Sequence, residues 1–240
     1  MSVAAKTREP LYPVAYAATL AGLDPKTAHR WLRGYDFVHK GQQRRSEPVV
    51  PPPHGLPAND LLSFEELLTL RMVRGFRQHG LGLPTIKRAA KAAATRYGMA
   101  NPFVSKAFRT DGRQVFVELE QQGAIRGDEK VLVHALTGQQ QFVRVVEPSL
   151  FKDVVFVGDV PGEWFPIGQD HAVVVRPDRA LGAPHITGTG VRTDVLADTV
   201  QAEGGDEAAE LAAASWYGLT REQVRDAIVA ETEWRSRKAA

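Results

Sequence analysis

The side chains whose types and spacing suit binding chemistry are concentrated in residues 25–33, PKTAHRWLR. At helical spacing, Ala28, Trp31 and Leu32 share the apolar face of this segment. The outer face carries Lys26, Thr27, His29, Arg30 and Arg33. Basic and hydrogen-bonding side chains on one helix face are the groups that contact phosphates and base edges. The segment therefore predicts a nucleic-acid-binding helix; the alternative is a helical hairpin whose charges are merely solvated.

The residues around this segment predict how it is positioned. Residues 14–20 form a short, Ala-rich apolar helix, and residues 21–23 form a tight turn that contains Gly22. Asp24 offers an N-cap oxygen, and Pro25 has a φ suited to the first helical position. Two helices joined by a short glycine turn form a helix-turn-helix, with its recognition helix at Pro25–Arg33.

A basic hairpin is expected directly after the recognition helix. Residues 35–39 and 47–50 can pair around residues 40–46, which include Arg44 and Arg45. Such a ribbon is the wing of a winged helix-turn-helix, and the two arginines could reach phosphates or the minor groove. The alternative is a flexible polar loop. The prolines of residues 51–57 then predict a stiff linker.

Two further helices complete the predicted N-terminal domain. The run of Ser63 to Glu66 resembles a capping box and predicts a helix start. Its buried stripe comprises Phe64, Leu67, Leu68, Met72 and Phe76, and its outer face comprises Arg71, Arg74 and Gln78. A fourth helix is predicted from Pro84 to about Tyr97.

Residues 12–97 resemble the DNA-binding domain of the MerR family. The resemblance rests on the order helix-turn-helix, basic wing, and then FEELLTLRMVRGFRQHGLGLPTIKRA at residues 64–89. It implies DNA binding by the helix-turn-helix and wing over a domain of residues 1–100. The long dimerising coiled coil of that family is missing, and without cysteine its thiolate metal sensing is excluded.

Charge and composition limit the class of protein. Residues 1–110 carry 17 Lys and Arg against 7 Asp and Glu, whereas residues 111–240 carry 13 against 21. A basic half joined to an acidic half predicts partners of opposite sign, the first a polyanion. The chain has no cysteine, no signal-peptide pattern and no run of 18 apolar residues, so we expect a cytoplasmic protein without a membrane span.

Residues 101–180 predict a β-rich central domain. Short Val-rich runs at residues 115–119, 131–136, 141–146, 154–157 and 172–175 are typical of antiparallel strands, and Asp111-Gly112 is the strongest turn signal among them. No catalytic constellation is visible, and no two of the seven histidines have metal-ligand spacing. The sequence therefore predicts no enzyme, no metal and no cofactor.

Residues 181–240 predict a helical module. The Gly-rich residues 186–191, ITGTGV, lack a phosphate-loop ending and are expected to form a turn between a strand and a helix. Helices are predicted at about residues 193–202, 206–214 and 220–234, the last opened by a capping box of Thr220 and Gln223. The module carries 6 Lys and Arg against 10 Asp and Glu, so we expect it not to bind DNA.

Residues 176–232 resemble a small domain family that accompanies antitoxins in bacterial toxin–antitoxin operons. The match lies in residues 182–184, 186–191 and 219–224, with Gly190 where the family usually has a basic residue. Together with the MerR-like head, it resembles VapB-type antitoxins. That resemblance implies a homodimer, operator DNA and a PIN-domain ribonuclease toxin as partners, with repression of its own operon.

The chain end suggests how a toxin is neutralised. PIN toxins, as the resemblance implies, have carboxylate-rich active sites, and a guanidinium pairs well with carboxylates. The terminal sequence EWRSRKAA offers Trp234 as an aromatic anchor, with Arg235 and Arg237 as charges on a segment free to move. Failing that, Arg221 and Arg225 on the last helix are candidates. The alternative is a frayed, solvated terminus.

The predicted architecture is α+β. It comprises a winged helix-turn-helix at residues 1–100, an antiparallel β region at residues 101–180 and a dimerisation and toxin-binding module at residues 181–240. The expected function is that of an antitoxin. The alternative is a one-component MerR-like transcription regulator whose β domain binds a small molecule.

Overall fold

The computed structural model describes residues 6–49, 61–125, 133 and 152–239 of the chain. Within these ranges the structure mixes helices with four two-stranded antiparallel sheets. This confirms the predicted α+β class. The predicted linker at residues 51–57 lies outside the described residues, as do nearly all of residues 131–136 and all of residues 141–146.

The N-terminal region contains the predicted pair of helices, α1 (Val14–Ala21) and α2 (Pro25–Arg33). A short strand, β1 (Tyr12–Pro13), precedes α1. The Asp24 side chain accepts hydrogen bonds from the backbone N–H groups of Lys26 and Thr27 at the start of α2. The cap and the proline therefore begin α2 where the sequence predicts.

A two-stranded hairpin, called the wing below after its predicted role, follows α2, but its register differs from the prediction. Strand β2 (Tyr35–His39) pairs with β3 (Gln42–Ser46), and residues 40–41 form the turn between them. Lys40 and Gly41 both have positive φ, the conformation of a two-residue hairpin turn that matches strand twist. The expected second strand at residues 47–50 is therefore wrong. Arg44 and Arg45 lie within β3 and not at the hairpin tip.

Strand β4 (Leu61–Leu62) pairs with β1 and leads into helix α3 (Phe64–Gln78). Ser63 and Glu66 form the predicted capping box, and the predicted apolar stripe of α3 is buried. The outward placement of Arg71 is wrong: its guanidinium lies 5.3 Å from the centre of the Trp164 ring and pairs with Asp153. Arg74 is also half-buried. Residues distant in sequence cover these arginines, which the spacing within α3 does not reveal.

Helix α4 (Leu83–Tyr97) is followed by a helix, α5 (Lys106–Gln121), where the sequence predicted β structure. The expected strand at residues 115–119 and turn at residues 111–112 are wrong. Ser105 caps α5, and Phe108, Val115, Phe116 and Leu119 form a buried stripe with helical spacing. A Cβ on Gly112 would lie 2.9 Å from the Phe108 ring, so this glycine makes room for the ring within the helix.

The second half of the described chain begins with two short antiparallel pairs. Strand β5 (Val154–Val157) pairs with β6 (Val160–Trp164), and β7 (Val173–Val174) pairs with β8 (His185–Ile186). The predicted strand at residues 154–157 is confirmed, and the one at residues 172–175 is shorter than expected. Trp164 and Val175 exchange backbone hydrogen bonds, which joins the two pairs.

Three helices complete the chain: α6 (Thr193–Ala202), α7 (Glu207–Tyr217) and α8 (Arg221–Ala239). The Gly-rich segment before α6 is a turn, as predicted. Thr220 and Gln223 make the reciprocal hydrogen bonds of the predicted capping box. Helix α8 continues past the predicted end at residue 234, so the basic terminus is helical and not a loose tail.

Helix α8 connects the C-terminal helices to the N-terminal region by packing against both. It packs against α6 and β7 and also against α1 in the N-terminal region. Trp234 is only 5% exposed and belongs to a hydrophobic core that includes residues of α1 and α3. The C-terminal helices therefore support the N-terminal region directly.

Candidate nucleic-acid interface

The outer face of α2 exposes the basic side chains that the sequence assigns to it. Lys26, Arg30 and Arg33 are exposed, and His29 is half-buried. The hydroxyl of Thr27 donates a hydrogen bond to Asp24 Oδ2 at 2.9 Å, so this side chain takes part in the helix cap. Hydrogen bonds from the Thr27 backbone and side chain lower the pKa of Asp24. A carboxylate at this N-terminus also suits the helix dipole.

Aromatic contacts join α2 to the wing. The guanidinium of Arg30 lies 5.5 Å from the centre of the Tyr35 ring, within the range of a cation–π interaction. The Tyr35 and Phe37 rings are 5.8 Å apart and tilted by 47°. Arg30 therefore lies on the same side of the molecule as these two rings.

The register of the hairpin separates its side chains into two faces, because directly opposite residues of an antiparallel pair share a face. One face carries the pairs Tyr35–Ser46, Phe37–Arg44 and His39–Gln42, and the other carries Asp36–Arg45 and Val38–Gln43. The two predicted wing arginines therefore point to opposite sides.

Arg44 and Arg45 also differ in their contacts. Arg45 Nη2 donates to the carbonyl oxygen of Arg33 at 3.2 Å, and Nη1 lies 3.4 Å from Asp36 Oδ1. Arg44 has no hydrogen-bond or ion-pair partner among the described residues. The Arg44 guanidinium is therefore available to bind a phosphate. The Arg45 guanidinium already connects the wing to the end of α2 through its hydrogen bond to Arg33.

Two residues that the sequence reasoning did not assign to the site fix the base of the wing. Gly34 has a φ of 72° and a ψ of −176°, and a Cβ there would lie 2.2 Å from the Ser46 carbonyl oxygen. Lys87 of α4 donates to Ser46 Oγ at 2.9 Å and to the Glu47 carbonyl oxygen. Burial lowers the pKa of Lys87, and the nearby Glu47 opposes this shift. The position of Gly34 between a predicted helix and a predicted strand could have indicated its role from the sequence. Nothing in the sequence near Lys87 indicates that this residue contacts the wing.

The surface made by α2 and the wing is strongly basic. Residues 25–46 carry six Lys and Arg side chains against one acidic side chain, Asp36. Aromatic rings lie among these charges on the Phe37 face. An excess of positive charge raises the local concentration of a polyanion, and interleaved rings offer contacts to sugars and bases.

The residues predicted to bind a toxin are already engaged within the chain. Arg221 pairs with Glu207 and Glu210, Arg225 with Glu210, Arg235 with Asp198 and Glu231, and Arg237 with Glu233. Arg221 and Arg225 lie together on the first turns of α8, and Arg235 and Arg237 lie near its other end. Trp234 is buried in the core, so its predicted role as an exposed aromatic anchor is wrong.

Two further observations concern metal ions and membranes within the described ranges. No group of three or more His, Asp or Glu side chains in them could hold a metal ion. None of their helices is long and apolar enough to cross a membrane. Residues 126–132 and 134–151 of the predicted ligand-binding β region lie outside the description, so the small-molecule alternative stays a prediction.

Residues 173–229 match a protein family model described as "Protein of unknown function (DUF433)". This segment runs from β7 into α8 and excludes α2 and the wing. It corresponds to most of the region in which the sequence resembles an antitoxin-associated domain. The candidate interface of α2 and the wing therefore lies outside this family match and rests on its own geometry.

Two relatives from Mycobacterium tuberculosis match nearly the whole chain. The protein named "Putative antitoxin VapB45" is 26% identical over 233 residues, covering 91% of this chain and 92% of the relative. "Uncharacterized protein Rv2308" is 26% identical over 245 residues, covering 95% of this chain and 92% of the relative. The similarity thus extends across both the basic and the acidic half.

A solved structure shares the fold. The crystal structure of Rv2018 from Mycobacterium tuberculosis matches with a TM-score of 0.66 and 22% identity, and covers 92% of this chain and 98% of its own. The arrangement of an N-terminal region packed on C-terminal helices is therefore a fold found in a solved protein. At this identity the likeness supports the fold alone.

Proposed function

We propose that this chain is a VapB-type antitoxin of a toxin–antitoxin module. In this role its N-terminal region binds operator DNA and represses its own operon, and its C-terminal module contacts the toxin. The similarity to a protein named as an antitoxin, over 91% of this chain, supports the antitoxin role. The expectation that the chain is not an enzyme is part of this proposal.

The observation that carries the DNA-binding part is the continuous basic and aromatic surface of α2 and the wing. This surface carries, in order, Arg30, the rings of Tyr35 and Phe37, and Arg44. An α-helix fits the major groove of B-DNA, and a wing beside it reaches the adjacent backbone or minor groove. In the MerR-like arrangement, Lys26, His29, Arg30 and Arg33 lie in the major groove.

A homodimer is part of the proposal. Two copies of α2 placed about one helical turn of DNA apart would bind a palindromic operator. The C-terminal module is the proposed site of dimer and toxin contacts because it is acidic overall and unsuited to DNA. The operator and the toxin would then occupy opposite halves of the chain.

The proposed toxin is a PIN-domain ribonuclease with an acidic active site. Each candidate arginine of α8 has a carboxylate partner, so toxin binding is an exchange of one carboxylate for another. Arg225 and Arg235 are the most suitable, because their side chains are 58% and 48% exposed and are more accessible than those of Arg221 and Arg237. The Arg235–Asp198 pair lies at the surface, where an ion pair contributes only about 0–1 kcal/mol, so exchanging it costs little.

The test is co-expression of the chain with the product of the neighbouring gene. We expect a stable complex and suppression of RNA cleavage by that product. Arg225→Ala combined with Arg235→Ala should weaken suppression, whereas Arg44→Ala, a surface arginine in the DNA-binding half, should leave suppression unchanged. Failure of the wild-type chain to bind the neighbouring product would refute the toxin partnership.

A further inference from the structure

We propose that only one face of the wing contacts DNA, the face of Phe37 and Arg44, and that Arg45 on the opposite face is a positioning residue. This inference rests on the proposed DNA-binding function and assigns the parts of that site. It separates two adjacent arginines of β3 that look equivalent in the sequence.

The contact between α2 and the wing determines which face meets the DNA. Arg30, on the outer face of the recognition helix, lies over the Tyr35 ring. Tyr35, Phe37 and Arg44 share one side of the hairpin through the observed register. A duplex that contacts Arg30 therefore meets the Phe37 face, and the face of Val38 and Gln43 points away from it.

The chemistry of the Phe37 face suits a sugar–phosphate backbone. Phe37 is 39% exposed although it is a large apolar residue, and it lies directly opposite Arg44. An arginine supplies a charged hydrogen bond to a phosphate, and an aromatic ring packs against the sugar or a base edge. The pair thus matches the two components of one nucleotide.

Arg45 has a different set of partners. Arg33 is the last residue of α2, where backbone carbonyls lack partners within the helix. The guanidinium of Arg45 donates to this carbonyl and lies beside Asp36. A positive charge at a helix C-terminus is favourable, so Arg45 fastens the wing at a defined angle to α2.

Neighbouring residues on opposite faces provide matched variants. Phe37→Ala and Arg44→Ala remove the proposed DNA contacts, and Val38→Ala and Gln43→Ala make changes on the other face. We expect the first pair to weaken binding to a duplex from the chain's own promoter by about 5- to 30-fold. The second pair should stay within about twofold of wild type, although Val38 is 69% exposed and thus more accessible than Phe37.

Asp36 distinguishes a positioning role of Arg45 from a phosphate contact. In either case Asp36→Asn removes one repulsive charge, which favours DNA binding slightly. If Arg45 contacts phosphate, the substitution also frees its guanidinium from a competing carboxylate, so DNA binding strengthens severalfold. If Arg45 positions the wing, the loosened attachment offsets the small gain, and binding stays equal or weakens by up to about fivefold. Arg44→Ala should also reduce the slope of log K against log salt by about one unit.

The measurement is a fluorescence titration of all five variants and Arg30→Ala against promoter duplex, with melting curves to confirm folding. Equal losses on both faces, stronger binding by Asp36→Asn, or no loss in Phe37→Ala and Arg44→Ala would overturn the inference. In the last case a loss in Arg30→Ala would leave the proposed function intact. No binding of the duplex by wild type would refute both.

Discussion

The substitution Gly34→Ala tests whether the base of the wing has the conformation described. Gly34 combines a φ of 72° with a ψ of −176°, a region that only glycine adopts readily. That backbone strain alone costs an alanine about 1–3 kcal/mol. The new Cβ would also lie 2.2 Å from the Ser46 carbonyl oxygen, which would have to move by about 1 Å to reach an ordinary carbon–oxygen contact.

Because Ser46 is paired with Tyr35, this shift breaks the first pair of the hairpin. We expect Gly34→Ala to lower the free energy of unfolding by about 3 kcal/mol, or to detach the wing and weaken promoter binding at least tenfold. The matched control is Gly41→Ala at the wing tip. Gly41 also has a positive φ, of 75°, but nothing lies within 4 Å of its Cβ position, so we expect a loss of only about 1 kcal/mol.

Urea unfolding and a DNA titration of both variants provide the assay. Equal effects of the two substitutions would refute the proposed close contact, because strain from positive φ would then explain both. A wild-type-like Gly34→Ala protein would refute the wing conformation itself.

Three further predictions concern the interior of the protein. Burial raises the pKa of Glu231 above its ordinary 4.5, so the folded protein favours the protonated carboxyl. The resulting contribution to folding stability is present below pH 4.5 and is lost as pH rises through the folded-state pKa. Since Gln can keep the hydrogen bond from Thr193, Glu231→Gln should be at least as stable as wild type at pH 7.5 in thermal melts, and this advantage should vanish near pH 4.5; a lower stability at pH 7.5 would contradict it. Trp234→Ala should cost about 3–5 kcal/mol in urea unfolding, because it leaves a cavity beneath α8; a loss below about 1 kcal/mol would indicate an exposed tail. Gly112→Ala should destabilise by about 1–2 kcal/mol despite the better helix propensity of alanine, because the Cβ meets the Phe108 ring; a stabilised variant would show that the ring can move.

The sequence predicts the start of a helix well where a capping side chain is present. Asp24, Ser63 and Thr220 each begin a helix at the expected position, because their side chains satisfy backbone N–H groups that are a few residues away. The basic outer face of α2 follows from the same local spacing. These features depend on contacts within one turn of helix.

The errors arise where a partner is distant in sequence or where a short pattern is ambiguous. Residues 115–119 alternate like a strand when taken alone, but the longer stripe from Phe108 to Leu119 has helical spacing. The Lys40-Gly41 turn sets the wing register, and the sequence does not predict it because the polar and basic residues of β3 resemble those of a loop. The separate orientations of Arg44 and Arg45 follow from that register.

Long-range packing explains the remaining error, at the C-terminus. A basic terminal sequence predicts a mobile tail, yet Trp234 packs into a core shared with α1. Truncation at Glu233 would therefore remove a core residue and test stability instead of toxin binding. Single substitutions of Arg225 and Arg235 avoid this problem.

The most direct test is the binding of promoter DNA by the wild-type chain, Arg30→Ala and Arg225→Ala at two salt concentrations. Both arginines are exposed, but only Arg30 lies on the proposed interface. We expect wild-type affinity to fall steeply with salt, Arg30→Ala to lose about 1–3 kcal/mol of binding free energy, and Arg225→Ala to match wild type. Unchanged binding by Arg30→Ala, or an equal loss in both variants, would contradict DNA recognition through α2 and the wing.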